Sequence, residues 1–509
     1  MSTPETPTTA RVVLDPAWRV GPVNRRLFGS FVEHLGRCVY DGIYEPGHPT
    51  ADADGFRRDV LDLVGELGVS VVRYPGGNFV SGYRWEDGVG PRDRRPVRRD
   101  LAWRTTESNE IGLDEFIRWT RLAGVEPMLA INLGTRGVEE ALDLHEYANH
   151  PKGTELADRR IANGSAEPHA IKLWCLGNEM DGPWQTGHKT AHEYGRLAAE
   201  TARALRQAEP DLELVACGSS GASMPTFGQW EETVLTEAYE VVDHISLHAY
   251  YEEHDGDPGS FLASAVDMDR FIDAVVATAD HVRAKLGVEK RIDLSFDEWN
   301  VWYLSRFRDE GPPPGWPQAP RLLEDHYNVT DAVVVGNLLI SLLRHTDRVA
   351  VACQAQLVNV IAPIFTEPGG VAWRQTIFHP FAQTSRHASG DVLRLDVETP
   401  TYETSRFGEV PLVDAVATHD DEGAVLFAVN RSVDGEVRLD VDTTLLGPVE
   451  VVECLEVADA DRFARNSADE PDRVRPRAVP VDRPRDDGVV ALRLPPVSWT
   501  MLRVGSRAR

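Results

Sequence analysis

Two glutamates carry most of the chemistry this sequence can do. Glu179 closes the apolar run IKLWCLGNE (171–179) and Glu298 lies near the end of RIDLSFDEW (291–299). Cleaving a glycosidic bond needs such a pair, one acid to protonate the leaving oxygen and one carboxylate to attack the anomeric carbon. Either glutamate alone reads equally well as an ion-paired residue at a strand end; the neighbours shift the balance. Asn178 precedes Glu179, and an amide there can bond a sugar 2-hydroxyl as positive charge develops on the ring. Trp299, Trp302 and Tyr303 follow Glu298 and offer aromatic surface for a sugar. In VDHISLHAY (242–250), His244, Ser246, His248 and Tyr250 share one strand parity and are expected to face inward, with Tyr250 within reach of the nucleophile. His244 and His248 with Asp297 also read as metal ligands, but no further histidine ends the first strand as a paired ligand motif, so no metal and no cofactor is expected.

These residues need a scaffold that brings distant strand ends together. Between residues 26 and 384, eight Val-, Ile- and Leu-rich runs alternate with amphipathic helical stretches. Besides the three already quoted they are 27–33, 69–74, 125–132, 212–218 and 348–356; helices are readable from Phe56, Leu113 and Ala191. Strands too apolar to have a wet face, alternating eight times with helices, imply an α/β fold: a (β/α)8 TIM barrel whose chemistry sits at the C-terminal rim. Glu33, Arg73, Asn132, Asn178, Glu179, His248, Tyr250, Glu298 and Gln356 fall at such ends. Gly76 and Gly77 after Pro75 suggest a tight turn that brings backbone close to the pocket. From 385 to 509 short strands alternate with Asp, Gly and Pro turns, as in an antiparallel β-sandwich, with a strand from 10–25 expected to join it. Residues 459–487 read as a long exposed loop.

The net charge of −28 disfavours nucleic acid or an anionic membrane as partner. The one basic cluster, Arg92–Arg104, reads as a solvated loop. No apolar run approaches the length of a membrane span. The N-terminal MSTPETPTTARVV shows no leader, and five scattered cysteines read as buried free thiols, so a cytoplasmic address is expected.

The segments GSFVEHLGR, VVRYPGGNFVSGY, AWRTTESNEIGLDEF, WCLGNEMDGPWQ, ISLHAYY, DEWNVWY and AQLVNVIAP, in this order, resemble glycoside hydrolase family 51, the α-L-arabinofuranosidases. The resemblance spans the whole barrel. It implies Glu179 as acid/base and Glu298 as nucleophile of a retaining, exo-acting enzyme. It further implies that Glu33, Arg73, Asn78, Asn178, Tyr250 and Gln356 line the arabinofuranose subsite, with Trp103 and Trp302 at the pocket mouth. The expected partner is an arabinose-containing oligosaccharide, and the family resemblance implies a hexamer. Two rival readings remain: an endo-xylanase or glucanase on the same barrel, and a catalytically silent carbohydrate-binding protein. The Pro-rich loops 91–104 and 306–320 look long enough to wall off one end of the site, which favours release of terminal units.

Overall fold

The structure is a computed structural model and describes residues 8–506, so the first seven residues read for a leader lie outside the described residues. Two N-terminal strands, β1 (Thr8–Val13) and β2 (Arg19–Pro22), precede eight barrel strands: β3 (Gly29–Phe31), β4 (Val71–Tyr74), β5 (Glu126–Ala130), β6 (Leu173–Leu176), β7 (Glu213–Ala216), β8 (His244–Tyr251), β9 (Asp293–Val301) and β10 (Val349–Gln354). Strands β3 to β10 pair in chain order, all in parallel, and close when β10 meets β3. All eight runs read from the sequence are present, because strands covered on both faces must be apolar throughout.

The helices between them are set by local signals. Ala191–Ala208 begins at Thr190, whose hydroxyl accepts from the Glu193 amide while Glu193 reaches back to the Thr190 N–H. Val329–Arg344 begins likewise at Asn328 with Asp331. Arg58–Leu67 and Leu113–Ala123 end on Gly68 and Gly124, whose positive φ of 75° and 69° turns the chain out of the helix.

Beyond the barrel, a four-stranded and a seven-stranded sheet pack as a sandwich. β1 lies parallel to Val437–Asp442 in the first, and β2 pairs with Asp391–Leu393 in the second. The sandwich has an apolar centre of its own, which includes Val12, Leu426, Leu439 and Leu492. Residues 459–487 form the expected long loop, exposed over most of its length, and it is anchored at a few points: Asn466, Ala464 and Val474 are buried, Asn328 bridges Arg465, and Arg462 reaches Glu253 beyond β8.

The basic cluster 92–104 is largely exposed, as expected, with several of its arginines held by partners. Arg95 forks onto both oxygens of Glu115 at 3.0 and 2.9 Å, Arg98 holds Asp87, and Arg99 and Arg104 both lie against the Trp316 ring. All five cysteines are buried and free.

Candidate active site

At the C-terminal rim Phe31, Glu33, Asn78, Trp103, Glu179, Tyr250, Glu298, Trp302 and Gln356 line one pocket. Leu35, Leu323 and Ile361 complete its apolar wall. Arg73, Asn178 and His248 stand directly behind these side chains, all buried. Of the residues named from the sequence, Glu33, Arg73, Asn78, Trp103, Asn178, Glu179, His248, Tyr250, Glu298, Trp302 and Gln356 therefore lie in or against this pocket.

The two carboxylates arrive by different routes. β6 stops at Leu176, so Glu179 lies on a turn rather than at the strand end the sequence suggested. Gly177 has φ 101° and Glu179 itself φ 44°, a left-handed backbone that a residue with a side chain rarely adopts. Glu298 sits inside β9. Ser246 of β8 pairs with Ser295, but His248 pairs with Glu298, so β9 contains one extra residue there. Such a bulge breaks the alternation of a strand, and it lets two consecutive acids, Asp297 and Glu298, both reach His248. Oxygens of Glu179 and Glu298 lie within 4.8 Å of each other and of the His248 ring.

Each carboxylate oxygen has a partner. Arg73 Nη1 donates to Glu298 Oε1 at 2.8 Å and the Tyr250 hydroxyl donates to Oε2 at 2.7 Å. Glu179 Oε1 is 2.9 Å from His248 Nδ1, and Glu179 Oε2 accepts from Trp184 Nε1 at 2.7 Å. The far side of His248 is held by Asp297, with Nε2 to Oδ1 at 2.9 Å. Arg73 also donates to Asn178 Oδ1 at 2.7 Å, and Asn178 Nδ2 donates to Asn78 Oδ1. Glu179, His248 and Glu298 carry donor atoms close enough for a cation, but these atoms are already engaged with one another or with Arg73, Tyr250, Asp297 and Trp184.

Burial raises the Glu179 carboxyl above its ordinary pKa and the Glu298 charge adds to the rise, while His248 and the Trp184 N–H act in the opposite sense. For His248 burial opposes charge, but Glu298, Asp297 and Glu179 outweigh it and hold the ring's pKa well above the usual value. Asp297 is held below the carboxylate range: burial disfavours its charge, yet Arg73 and His248 prevail.

Across the pocket, Glu33 Oε1 accepts from the Phe79 amide (2.9 Å) and the Trp103 indole (2.8 Å), and Oε2 accepts from Gln356 Nε2 (2.9 Å). Burial pushes this carboxyl up to about 8 in spite of those donors. The Gly-Gly dipeptide is explained here. A Cβ on Gly76 would lie 2.7 Å from Glu33 Cγ, and one on Gly77 would lie 2.6 Å from Glu33 Oε2.

Several expectations are corrected. Trp299 is fully buried, on the outward face of β9, and is no sugar platform. Tyr303 turns away to donate to Asp331 at 2.7 Å. His244 has the inward parity but starts β8 at the opposite end of the barrel, 3.5 Å from Glu213, so it is no partner for His248. Asn132 accepts from the amides of Gly134 and Thr135 and stays out of the pocket. Sequence reasoning missed Trp184, although it stands within the quoted segment WCLGNEMDGPWQ, and saw Asp297 only as a metal ligand.

The mouth is narrowed by two loops that hold each other. Thr106 of the hairpin Arg98–Asp100/Thr105–Glu107 bonds the carbonyls of Trp316 and Pro317, and Phe307 packs near both Trp103 and Trp302, with ring centroids 6.2 Å away in each case.

The profile of the α-L-arabinofuranosidase 1 domain matches residues 63–287, and that of the α-L-arabinofuranosidase C-terminal domain matches 297–498. The chain belongs to the α-L-arabinofuranosidases of glycoside hydrolase family 51. An intracellular exo-α-(1→5)-L-arabinofuranosidase of Streptomyces lividans is 63% identical over 98% of this chain and 76% of its own length. An exo-α-(1→6)-L-arabinofuranosidase of Bifidobacterium longum is 54% identical over 97% of both chains. The solved structure of a family 51 α-L-arabinofuranosidase from Bifidobacterium longum superposes with TM-score 0.94 at 50% identity, covering 98% of this chain and 100% of its own. A Paenibacillus polymyxa xyloglucanase at 11% identity and TM-score 0.60, covering 98% of this chain and 100% of its own, shares the fold alone. Members of the family are glycoside hydrolases, and the paired carboxylates of this chain are the groups that such chemistry requires.

Proposed function

We propose that the chain is a retaining, exo-acting α-L-arabinofuranosidase that removes terminal arabinofuranosyl units from arabinan- or arabinoxylan-derived oligosaccharides. The observation that carries this reading is the approach of Glu179 and Glu298 to within 4.8 Å on the rim of one small pocket. Retaining enzymes hold their carboxyl groups about 5–5.5 Å apart, whereas inverting enzymes leave room for a water between them.

In the first step Glu179 protonates the glycosidic oxygen while Glu298 attacks the anomeric carbon, giving an arabinosyl ester. Glu179, now ionised, then takes a proton from the water that hydrolyses the ester. Arg73 and Tyr250 hold the nucleophile in line. Asn178, Asn78, Glu33 and Gln356 supply hydroxyl partners; the buried Gln356 Oε1 has no donor among the described residues and suits a sugar hydroxyl. Trp103 and Trp302 shape the mouth. The locked loops above the pocket favour cleavage of single terminal units over the open cleft of an endo-acting xylanase or glucanase. Among the described residues no helix is long and apolar enough to cross a membrane. The intracellular naming of relatives supports a cytoplasmic enzyme acting on short imported oligosaccharides. The proposal takes residues 26–384 as the catalytic barrel and 385–509, with strands from 10–25, as the sandwich, and it includes a hexamer, checked by light scattering after size exclusion.

The test is proton NMR of the reaction with defined arabino-oligosaccharides. L-Arabinose released first as the α anomer supports the reading. First release of the β anomer, or cleavage only within xylan, overturns it.

A further inference from the structure

Asp100 is a buried carboxylate at the tip of a hairpin that faces solvent. It pairs with Thr105, so residues 101–104 form the loop between the two strands. Leu101 and Arg104 of that loop are exposed, whereas Asp100 and Trp103 are only 7% and 8% exposed. A carboxylate taken out of water needs donors for both oxygens. Asp100 finds them in its own loop: Oδ1 accepts from the Ala102 amide at 3.0 Å, and Oδ2 from the Trp103 amide at 3.1 Å and the Thr105 hydroxyl at 3.3 Å. Among the described residues no barrel group bonds this carboxylate, so the loop is what it shapes.

What the loop presents is Trp103. Its amide is fixed from within, and Arg104 turns outward at φ 56° onto the Trp316 ring, so the Trp103 side chain is directed into the pocket. There its indole N–H donates to Glu33 Oε1 at 2.8 Å. The other donors to Glu33, the Phe79 amide and Gln356 Nε2, lie in the turns that follow β4 and β10. Only the indole comes from a loop tip, and its aim depends on how that tip is held. The base of the hairpin is anchored separately. Glu107 Oε2 is 2.9 Å from His34 Nδ1, Glu107 Oε1 accepts from the Asn109 amide at 2.6 Å, and Thr106 is tied to the Trp316 carbonyl. Asp100 is therefore not what attaches the hairpin to the barrel; its bonds decide where the tip points.

We propose that Asp100 is a positioning residue for the terminal-sugar subsite: it holds the Trp103 backbone so that the indole fixes the Glu33 carboxyl in the orientation that meets a sugar hydroxyl. This rests on the reading of the pocket as an arabinofuranosyl site. Contacts to a hydroxyl that does not react are made in the ground state and the transition state alike, so their loss raises KM more than it lowers kcat.

The experiment uses the full-length enzyme and nitrophenyl α-L-arabinofuranoside, whose single sugar places a change in KM at that subsite. Asp100→Ala is expected to raise KM about tenfold and to leave kcat within about threefold of the parent. Asp100→Asn, whose carbonyl still accepts from the Trp103 amide, is expected to recover most of the loss. Trp103→Phe keeps a ring and removes the indole donor, and is expected to raise KM as well. The deciding arm is the double variant Asp100→Ala/Trp103→Phe. Because Asp100 acts through the indole, the double variant is expected to show no more than the larger of the two single losses. Circular dichroism verifies the folds; where Asp100→Ala does not fold, the same cycle runs with Asp100→Ser, whose hydroxyl can replace one acceptor. Four results in an active parent overturn the inference and leave the proposed activity standing: single losses that multiply in the double variant, a parental KM in either single variant, a fall in kcat with KM unchanged, or an Asp100→Asn loss as large as that of Asp100→Ala. A parent that releases no arabinose from any arabino-oligosaccharide overturns both.

Discussion

Replacing Glu179 with Gln tests the division of labour between the two carboxylates most directly. Glutamine keeps the size of the side chain, and its carbonyl can still accept from Trp184 Nε1, so the 2.7 Å contact and the turn that carries it need not collapse. What disappears is the proton. A positioned general acid contributes about 10²–10⁴-fold in rate, which is about 2.7–5.4 kcal/mol at 1.36 kcal/mol per decade. That loss is expected in full for arabino-oligosaccharides, whose departing sugar alkoxide is a poor leaving group. An activated dinitrophenyl arabinofuranoside leaves without a proton, so its ester forms at near parental rate and then accumulates because no base activates water. Mass spectrometry should show the variant carrying one arabinosyl unit on the peptide containing Glu298. Azide, a nucleophile that needs no base, should restore turnover of the activated substrate and give an arabinosyl azide with the configuration of the starting glycoside. The raised pKa of Glu179 predicts that the parent loses kcat/KM as pH climbs through that value, and that this limb is absent from the variant. Equal losses on both substrates, with no azide rescue, would refute the assignment.

Glu298→Ala is expected to reduce turnover by on the order of 10⁴–10⁶-fold on both substrate types; a loss confined to poor leaving groups in steady-state assays would reverse the roles of the two glutamates. Gly77→Ala places a Cβ 2.6 Å from Glu33 Oε2 and must move that carboxyl. The expected result is a fall of about tenfold or more in kcat/KM and a loss of about 1–3 kcal/mol in stability, and parental values on both counts would sink it. Glu33 gives a pH test. Its carboxyl ordinarily titrates near 4.5 and is pushed up to about 8 in the fold, so between these values the folded chain holds a proton the unfolded chain has released. The stability from this group is fully present below 4.5 and is lost as pH rises through 8. The melting temperature of the parent relative to Glu33→Gln should therefore decline from about pH 5 to about pH 9; a difference that rises with pH would contradict it.

Much of this site was readable before the structure, and the misses have physical causes. Parallel barrel strands are apolar on both faces, so their runs stand out, and a rim position for the polar residue that ends each run follows from the architecture. Glu33, Arg73, Tyr250 and Gln356 were found in this way. The errors arise where the chain leaves regular geometry. LGNE reads as the continuation of a strand, yet Gly177 and Glu179 both adopt positive φ and turn Glu179 into the pocket lining. Alternation assigns Asp297 and Glu298 to opposite faces, and only the extra residue in β9 turns both towards His248. Runs of aromatic residues give no direction, so Trp299, Trp302 and Tyr303 looked alike although only Trp302 lines the pocket. Trp184 lay in a segment with no periodicity, where sequence offers no reason to prefer one indole over another.

In the proposed mechanism the donors around the two glutamates account for the different duties assigned to them better than depth of burial does, since both are buried. Glu298 is bonded to Arg73, a permanent cation, and to a tyrosine hydroxyl. Each of its two oxygens thus accepts from a donor that also fixes its direction. No arginine among the described residues bonds Glu179. Its neighbours are an indole, which can only donate, and His248, whose own charge is supported by Asp297. When Glu298 becomes a neutral ester, the repulsion that raises the Glu179 pKa is removed, while the supporting donors at Glu179 stay in place. The carboxyl that had to be an acid in the first step is thereby released to act as a base in the second. Asp297 completes this switch without meeting the sugar: held ionised by Arg73 and His248, it keeps the imidazole ring oriented towards Glu179 through both steps. The bulge that turns two adjacent acids inward is thus what lets Asp297 hold the His248 ring against Glu179 in the proposed cycle.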